Sequence, residues 1–294
     1  MAQSGIRSAA AGWRSKGIVR CPCCAAVLPW PGPGAKCASC GLGIMMLRGV
    51  PVLRRFKAGE RLDYLDQCSS LPAMDTSKLG IPFVDEALAS GRLVLELGAG
   101  NDACESPALV KTDAFLYSTN LACLADAHEL PFADNAFDHV YSLAVFEHLH
   151  SPWAVAEEIR RILRPGGSVY VLTAFCQHVH GYPHHYFNMT DSGLRRLFDR
   201  FEAVECRESA FTSFREISAG IVGDAYQMVQ AVRQATSRTQ WRKKVRLLRL
   251  LYGMRAVMRG LSAFDEDLKT IPGCREAWRR IAPAFELTAT KPAE

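Results

Sequence analysis

The sequence predicts an α/β protein built on an open, mostly parallel sheet and preceded by a small cysteine-bound module. Three observations carry this. From Leu93 onward, short apolar runs bounded by turn residues alternate with amphipathic stretches, the pattern of strands and helices in turn. One run, Val94-Leu95-Glu96-Leu97, passes directly into Gly98-Ala99-Gly100, as a buried first strand does where it ends at a ligand. Upstream lie two C-x-x-C pairs.

The chain has 294 residues, enough for one large domain or two smaller ones. Apolar residues make up 49 %, but no apolar run reaches the roughly 20 residues of a membrane-spanning helix, so no transmembrane segment is expected. Eleven cysteines would suit a disulfide framework in a short secreted chain. Here four are paired in C-x-x-C spacing and the rest are scattered, which fits a reducing cytoplasm and one metal site better.

Taken in order, residues 1–16 read as a disordered tail: the first twenty positions hold Arg7, Arg14, Lys16 and Arg20 and no acid. The composition also resembles an organellar transit peptide. Residues 17–55 are rich in Cys, Gly and Pro and too short to hold a core without a staple. Cys21-Pro22-Cys23-Cys24 and Cys37-Ala38-Ser39-Cys40-Gly41 supply one: Cys21, Cys24, Cys37 and Cys40 satisfy a tetrahedral, structural Zn2+. Cys23 would be cramped beside Cys21 on one ion, and a redox-active dithiol is the competing reading. Residues 56–90 form a connector, helical in part.

The second domain spans 91–294. Strands are expected at 93–97, 109–112, 121–124, 137–143, 168–173, 201–206 and, after a long helical stretch, 284–290. The clearest helix runs over 152–163, with Ser151 as N-cap, Pro152 at the first helical position and Pro165-Gly166-Gly167 stopping the chain beyond it. The late strand makes 214–281 a helical insertion that could lie over the site as a lid.

Gly98 and Gly100 allow a close backbone approach to a nucleotide-like ligand. The third glycine of the dinucleotide fingerprint is replaced by Ala103, which argues against a pyrophosphate site. Glu96-Leu97-Gly98-Ala99-Gly100, Asp126-Ala127-His128-Glu129-Leu130-Pro131-Phe132, Phe137-Asp138, Phe146-Glu147-His148-Leu149 and Arg164-Pro165-Gly166-Gly167 follow in order. Together they resemble the class I S-adenosylmethionine-dependent methyltransferases over roughly residues 75–210.

That resemblance implies a Rossmann-like seven-stranded methyltransferase sheet with S-adenosylmethionine as cofactor. It places Gly98, Ala99 and Gly100 beneath the amino-acid portion of the cofactor, with Glu96 organising the loop and meeting the charged amine directly or through water. Asp113 would take the ribose hydroxyls, Asp126 and Ala127 the adenine, and Leu143 and Ala144 would line the pocket near the sulfonium. The helix after the glycine turn must be very short or absent, since only thirteen positions separate Gly100 from Asp113. Asp102 or Glu105 could therefore fold back to the ribose instead. The resemblance also extends to the module at 17–55, which is similar to zinc ribbons fused to or partnered with methyltransferases.

Methyl transfer from an activated sulfonium needs mainly alignment and exclusion of water, and a base only for an acceptor that must lose a proton. The stretch 173–190 holds four of the eight histidines. One of His178, His180, His184 and His185 could take a proton from a hydroxyl acceptor, with His180 and His184 the favoured bases, against a purely structural role or a metal site. His148 is the candidate facing the acceptor, with Glu147 closing the turn.

From Ala225 to Phe264 there is no acid but nine arginines and lysines. They are interleaved with apolar positions at helical spacing over 240–261, so 238–261 reads as a lid with a solvated face, or as a surface for RNA or an anionic membrane. The expected function is methylation of an oxygen or nitrogen on a small-molecule acceptor (a metabolite, sugar or glycolipid intermediate). The rival readings are an RNA methyltransferase and a non-catalytic module that binds the cofactor or a partner.

Overall fold

The computed structural model describes residues 11–56, 59–68, 73–180, 184–211, 279–280 and 282–293, with positions 223, 227 and 234 in helical conformation. The expected insertion at 214–281, including the basic stretch 238–261, otherwise lies outside the described residues.

Seven strands form one sheet in the order β5-β4-β3-β6-β7-β9-β8. They are β3 (Val94–Leu97), β4 (Leu109–Asp113), β5 (Cys123–Leu124), β6 (Phe137–Leu143), β7 (Leu163–Ala174), β8 (Glu202–Glu208) and β9 (Ala284–Thr290). Strands β3 to β7 run parallel, and β9 lies antiparallel between β7 and β8. The sequence is written for this: side chains alternate between the two faces of a strand. Leu95, Val140 and Val171 point to one buried cluster, while Val94, Tyr141 and Tyr170 point to another.

Helix α3 (Pro152–Ile162) covers the first face with Val155, Ala156, Ile159 and Ile162, and α2 (Pro82–Ala89) covers the second with Val84 and Ala87. Helix α4 (Asp191–Leu197) starts at Thr190, whose hydroxyl accepts from the Gly193 amide. Ser151 holds the N-cap position of α3 as expected, but its side chain caps nothing. Its own amide donates to His128 Nε2 instead.

Two differences from the sequence reading stand out. Residues 11–16, assigned to a disordered tail, include a short helix α1 (Ala11–Arg14). Trp13 there is 3 % exposed and packs edge-on against Trp30 at 4.7 Å; an indole of that size orders its neighbours by the area it buries. The second difference concerns Pro165-Gly166-Gly167, which does not separate helix from strand: β7 is extended from Leu163 through it. Gly167 is required there, since a Cβ would meet the Arg164 and Asp138 carbonyls at 2.9 Å.

The cysteine module carries a hairpin of β1 (Met46–Leu47) and β2 (Val50–Pro51) and continues the sheet. Val52 bridges Leu124 on the open edge of β5, Leu53 donates to the Leu124 carbonyl, and Val19 bridges Phe132. An edge strand so paired cannot recruit another chain.

Candidate active site

The strand order reverses between β3 and β6. In an open parallel sheet this switch point opens a crevice at the carboxyl ends of the strands, where ligands bind. Here the crevice is walled by the glycine turn after β3 and by Ala144 and Val145 after β6. Gly98 has φ +75°, and a Cβ on it would collide with the Val145 methyls, so two separate reasons demand glycine. Ala144 is exposed and held at φ +54°, a strained conformation of the kind that gathers at binding sites.

Asp113 lies against the glycine turn. Its carboxylate accepts from the Gly100 amide at 2.9 Å and the Phe115 amide at 3.0 Å. Burial raises its pKa to about 6, against the lowering effect of the Phe115, Gly100 and Ala114 amides. Asp102 does not fold back to this position: it is 1 % exposed and accepts from the Thr76 amide and hydroxyl. The connector thus occupies the place of the missing helix, with Met74 bridging Asp102 beside the turn.

Glu96 is 2 % exposed beneath the turn, and its Oε2 has no hydrogen-bond partner. Burial and then the Asp102 carboxylate push its pKa well up. Ala99 buries its side chain in a cluster with Val52 and Leu124 and donates its amide to the Thr112 carbonyl. Leu143 packs toward the α2 side, which leaves Ala144 as the exposed residue at that strand end.

Asp126 is partly exposed after β5. His128 donates to its Oδ1 from the backbone at 3.0 Å and from Nδ1 at 2.7 Å, and these contacts hold Asp126 well below the usual carboxylate range. The His128 ring stacks on His150 at 3.9 Å. Ala127 packs on the main core. The sequence reading missed His128; only its place two residues after Asp126 hinted at it.

The histidines gather where β6 and β7 end. His148 and His180 come together, with ring centroids 5.1 Å apart, and Glu147 lies between them and the core, 1 % exposed. The Glu147 carbonyl accepts from the Tyr186 and Phe187 amides, which ties the loop at 184–190 to the end of β6. Its carboxylate also faces His180. His184 departs from expectation: its ring is exposed against Tyr186, and only its carbonyl reaches His148. His185, which the sequence reading did not single out, takes that place, 4.5 Å from His180.

In the cysteine module, the sulfurs of Cys21, Cys24, Cys37 and Cys40 all lie within 4.8 Å of one another. The Cys21–Cys40 and Cys24–Cys37 pairs are each 3.7 Å apart. Cys23 is exposed and outside the set. The Cys40 and Ser39 amides lower the Cys37 thiol to about 6.

This sheet, with its antiparallel β9 and a glycine turn at the switch point, has the Rossmann-like methyltransferase architecture. Residues 99–171 match the family described as "Methyltransferase domain". An uncharacterized protein of Escherichia coli, YafE, is 50 % identical over 46 residues, 16 % of this chain and 22 % of the relative. The 27-O-demethylrifamycin SV methyltransferase of Amycolatopsis mediterranei is 46 % identical over 43 residues, 15 % and 16 % of the two chains. The matches thus span about a fifth of the length of these curated relatives. Among solved structures, phosphoethanolamine N-methyltransferase 2 of Haemonchus contortus, in complex with S-adenosyl-L-methionine, aligns at TM-score 0.39 and 15 % identity over 69 % of this chain and 49 % of that one. A complex of the Haloferax volcanii Trm112 methyltransferase activator with a methyltransferase aligns at TM-score 0.40 and 19 % identity, over 72 % and 89 %.

Proposed function

We propose that the protein transfers the methyl group of S-adenosylmethionine to an oxygen or nitrogen of a small-molecule acceptor. The observation that carries this is the switch-point crevice, in which a glycine turn without room for a side chain is tied to the carboxylate of Asp113. Gly98 and Gly100 would lie under the amino-acid portion of the cofactor. Asp113 keeps lone pairs for the ribose hydroxyls beyond those given to backbone amides, and Asp126 keeps Oδ2 for the adenine amine. The unpartnered Glu96 oxygen beneath the turn fits a nearby ammonium, which would restore its charge. When bound, the cofactor supplies the activated methyl group; the chain aligns the acceptor and excludes water.

His148 and His180 form the wall that meets the acceptor, and for a hydroxyl acceptor His180 receives the proton, with Glu147 behind it. His184 supports this wall through its carbonyl alone. A small-molecule acceptor agrees with the name of the Amycolatopsis relative. The four-thiol set fits a structural Zn2+: sulfurs about 2.3 Å from a tetrahedral ion stand about 3.8 Å apart, close to the 3.7 Å found here.

The test incubates the protein with methyl-labelled S-adenosylmethionine and a fractionated cell extract. Label in the metabolite or lipid fraction is expected. Label confined to RNA would replace the acceptor class, and label in no fraction would leave only a cofactor- or partner-binding module.

A further inference from the structure

A second set of donor atoms converges at the acceptor wall. One donor atom each of Glu147, His148 and His180 lies within 4.8 Å of the other two. The surrounding hydrogen bonds fix what these atoms can do. Nδ1 of His148 faces the His184 carbonyl at 2.9 Å, and Nδ1 of His180 faces the His178 carbonyl at 3.1 Å. A carbonyl only accepts, so each Nδ1 carries the proton, and in the neutral ring the lone pair is on Nε2.

Nε2 of His180 then stands 3.8 Å from Oε1 of Glu147, while Thr173 donates its hydroxyl to Glu147 Oε2 at 2.9 Å. With no proton between them, these two acceptors form no hydrogen bond. The separation is near the roughly 3.4 Å between two ligands that share a tetrahedral ion. His185 does not compete: its Nδ1 accepts from the His180 amide and its Nε2 faces Asn188 Oδ1.

We propose that Glu147, His148 and His180 form a second metal site, which takes one divalent transition ion of the zinc type through a carboxylate oxygen and two imidazole nitrogens. The outer contacts are those a metal site needs: both rings are held by backbone carbonyls and the carboxylate by a hydroxyl. Glu147 brings a negative charge to a nearly dry position, 1 % exposed, where a lone charge is costly and a cation offsets it. Three protein ligands leave a coordination position open. If the wall meets the acceptor, as proposed above, that position would hold the acceptor's oxygen or nitrogen, and the ion, by lowering the acceptor's pKa, would take the place of His180 as base, because it occupies the lone pair that would receive the proton. This role rests on the methyltransferase reading; the existence of the site does not.

The experiment titrates Co2+ into the full chain carrying a single equivalent of Zn2+, which the four thiolates take first, and reads bound metal per chain together with the cobalt absorption. One Co2+ is expected beyond the ribbon zinc, with the weak bands of nitrogen and oxygen ligands and no thiolate charge-transfer band. H148A and H180A should each lose this ion while keeping the ribbon zinc and a cooperative thermal melt, and H184A, whose ring is not a ligand, should bind it as the parent does. No cobalt beyond the ribbon's one metal, only a thiolate band, or unchanged binding in H148A and H180A would each overturn the proposal. Because no methyl transfer is read, failure here is distinct from failure of the proposed activity.

Discussion

Asp113 ties itself to the glycine turn, and under the proposed function the same side chain would also serve the cofactor. With its pKa raised to about 6, that role would make cofactor affinity pH-dependent: above that value the carboxylate would accept from the Gly100 amide and the ribose, and below it a proton would remove part of that capacity. Affinity for S-adenosylhomocysteine should therefore fall as pH drops through about 6. D113N should weaken binding at least about tenfold, the loss of one hydrogen bond to a charged group, and flatten the pH dependence. Calorimetry across that window checks both, and pH-independent affinity in the parent would count against the assignment. Folding responds with the opposite sign, because the folded carboxyl holds its proton more tightly than the unfolded one. Stability contributed by this group is present at low pH and declines as pH rises between the ordinary carboxylate value and about 6. Gly98, Asp113 and Asp126 were legible in the sequence because their spacing follows the strand ends. His185 was legible only as one of four loop histidines that could take a proton, and His128 was not, since its partner Ser151 is brought to it by the fold.

At the scale of elements, the two helix starts at α3 and α4 look alike in sequence but work differently. Thr190 accepts from the Gly193 amide, whereas the Ser151 side chain caps nothing and the Ser151 amide is taken by His128. T190A should cost about 1 kcal/mol of stability, the usual effect of removing a cap, and S151A should stay within about 0.5 kcal/mol, as surface changes do. Urea unfolding of the two variants tests the contrast; equal losses would contradict it. The strands from β3 to β9 were readable as apolar runs between turn residues, down to the shared bounds of β6 and β9. The connector was not: the bridge between Met74 and Asp102 and the contacts of Thr76 depend on the backbone meeting a turn about 26 residues away, which no local pattern records.

Over the whole molecule, the cysteine module and the sheet are one structure. Arg54, 8 % exposed, leaves the module to donate to the Ala114 carbonyl next to Asp113 and pairs with Glu60 at 3.0 Å. The module therefore braces the Asp113 side of the crevice from behind, through the strand pairing at β5. The two C-x-x-C knuckles were legible, and their docking was not, because it runs through backbone atoms. A structural zinc contributes on the order of 10 kcal/mol to a small module's folding. If the four thiols hold such an ion, as proposed, a strong chelator should lower the melting temperature and weaken S-adenosylhomocysteine binding together; a loss of module structure that left cofactor affinity intact would contradict the bracing role. No described helix is long and apolar enough to cross a membrane. The central claim is that the crevice between β3 and β6 holds S-adenosylmethionine, and the most direct test is calorimetric titration of S-adenosylhomocysteine into the parent and into G98A. Saturable one-to-one binding in the parent, lost in a folded G98A because the new Cβ meets Val145, is the predicted result; no binding by the parent, or equal binding by both, would contradict it.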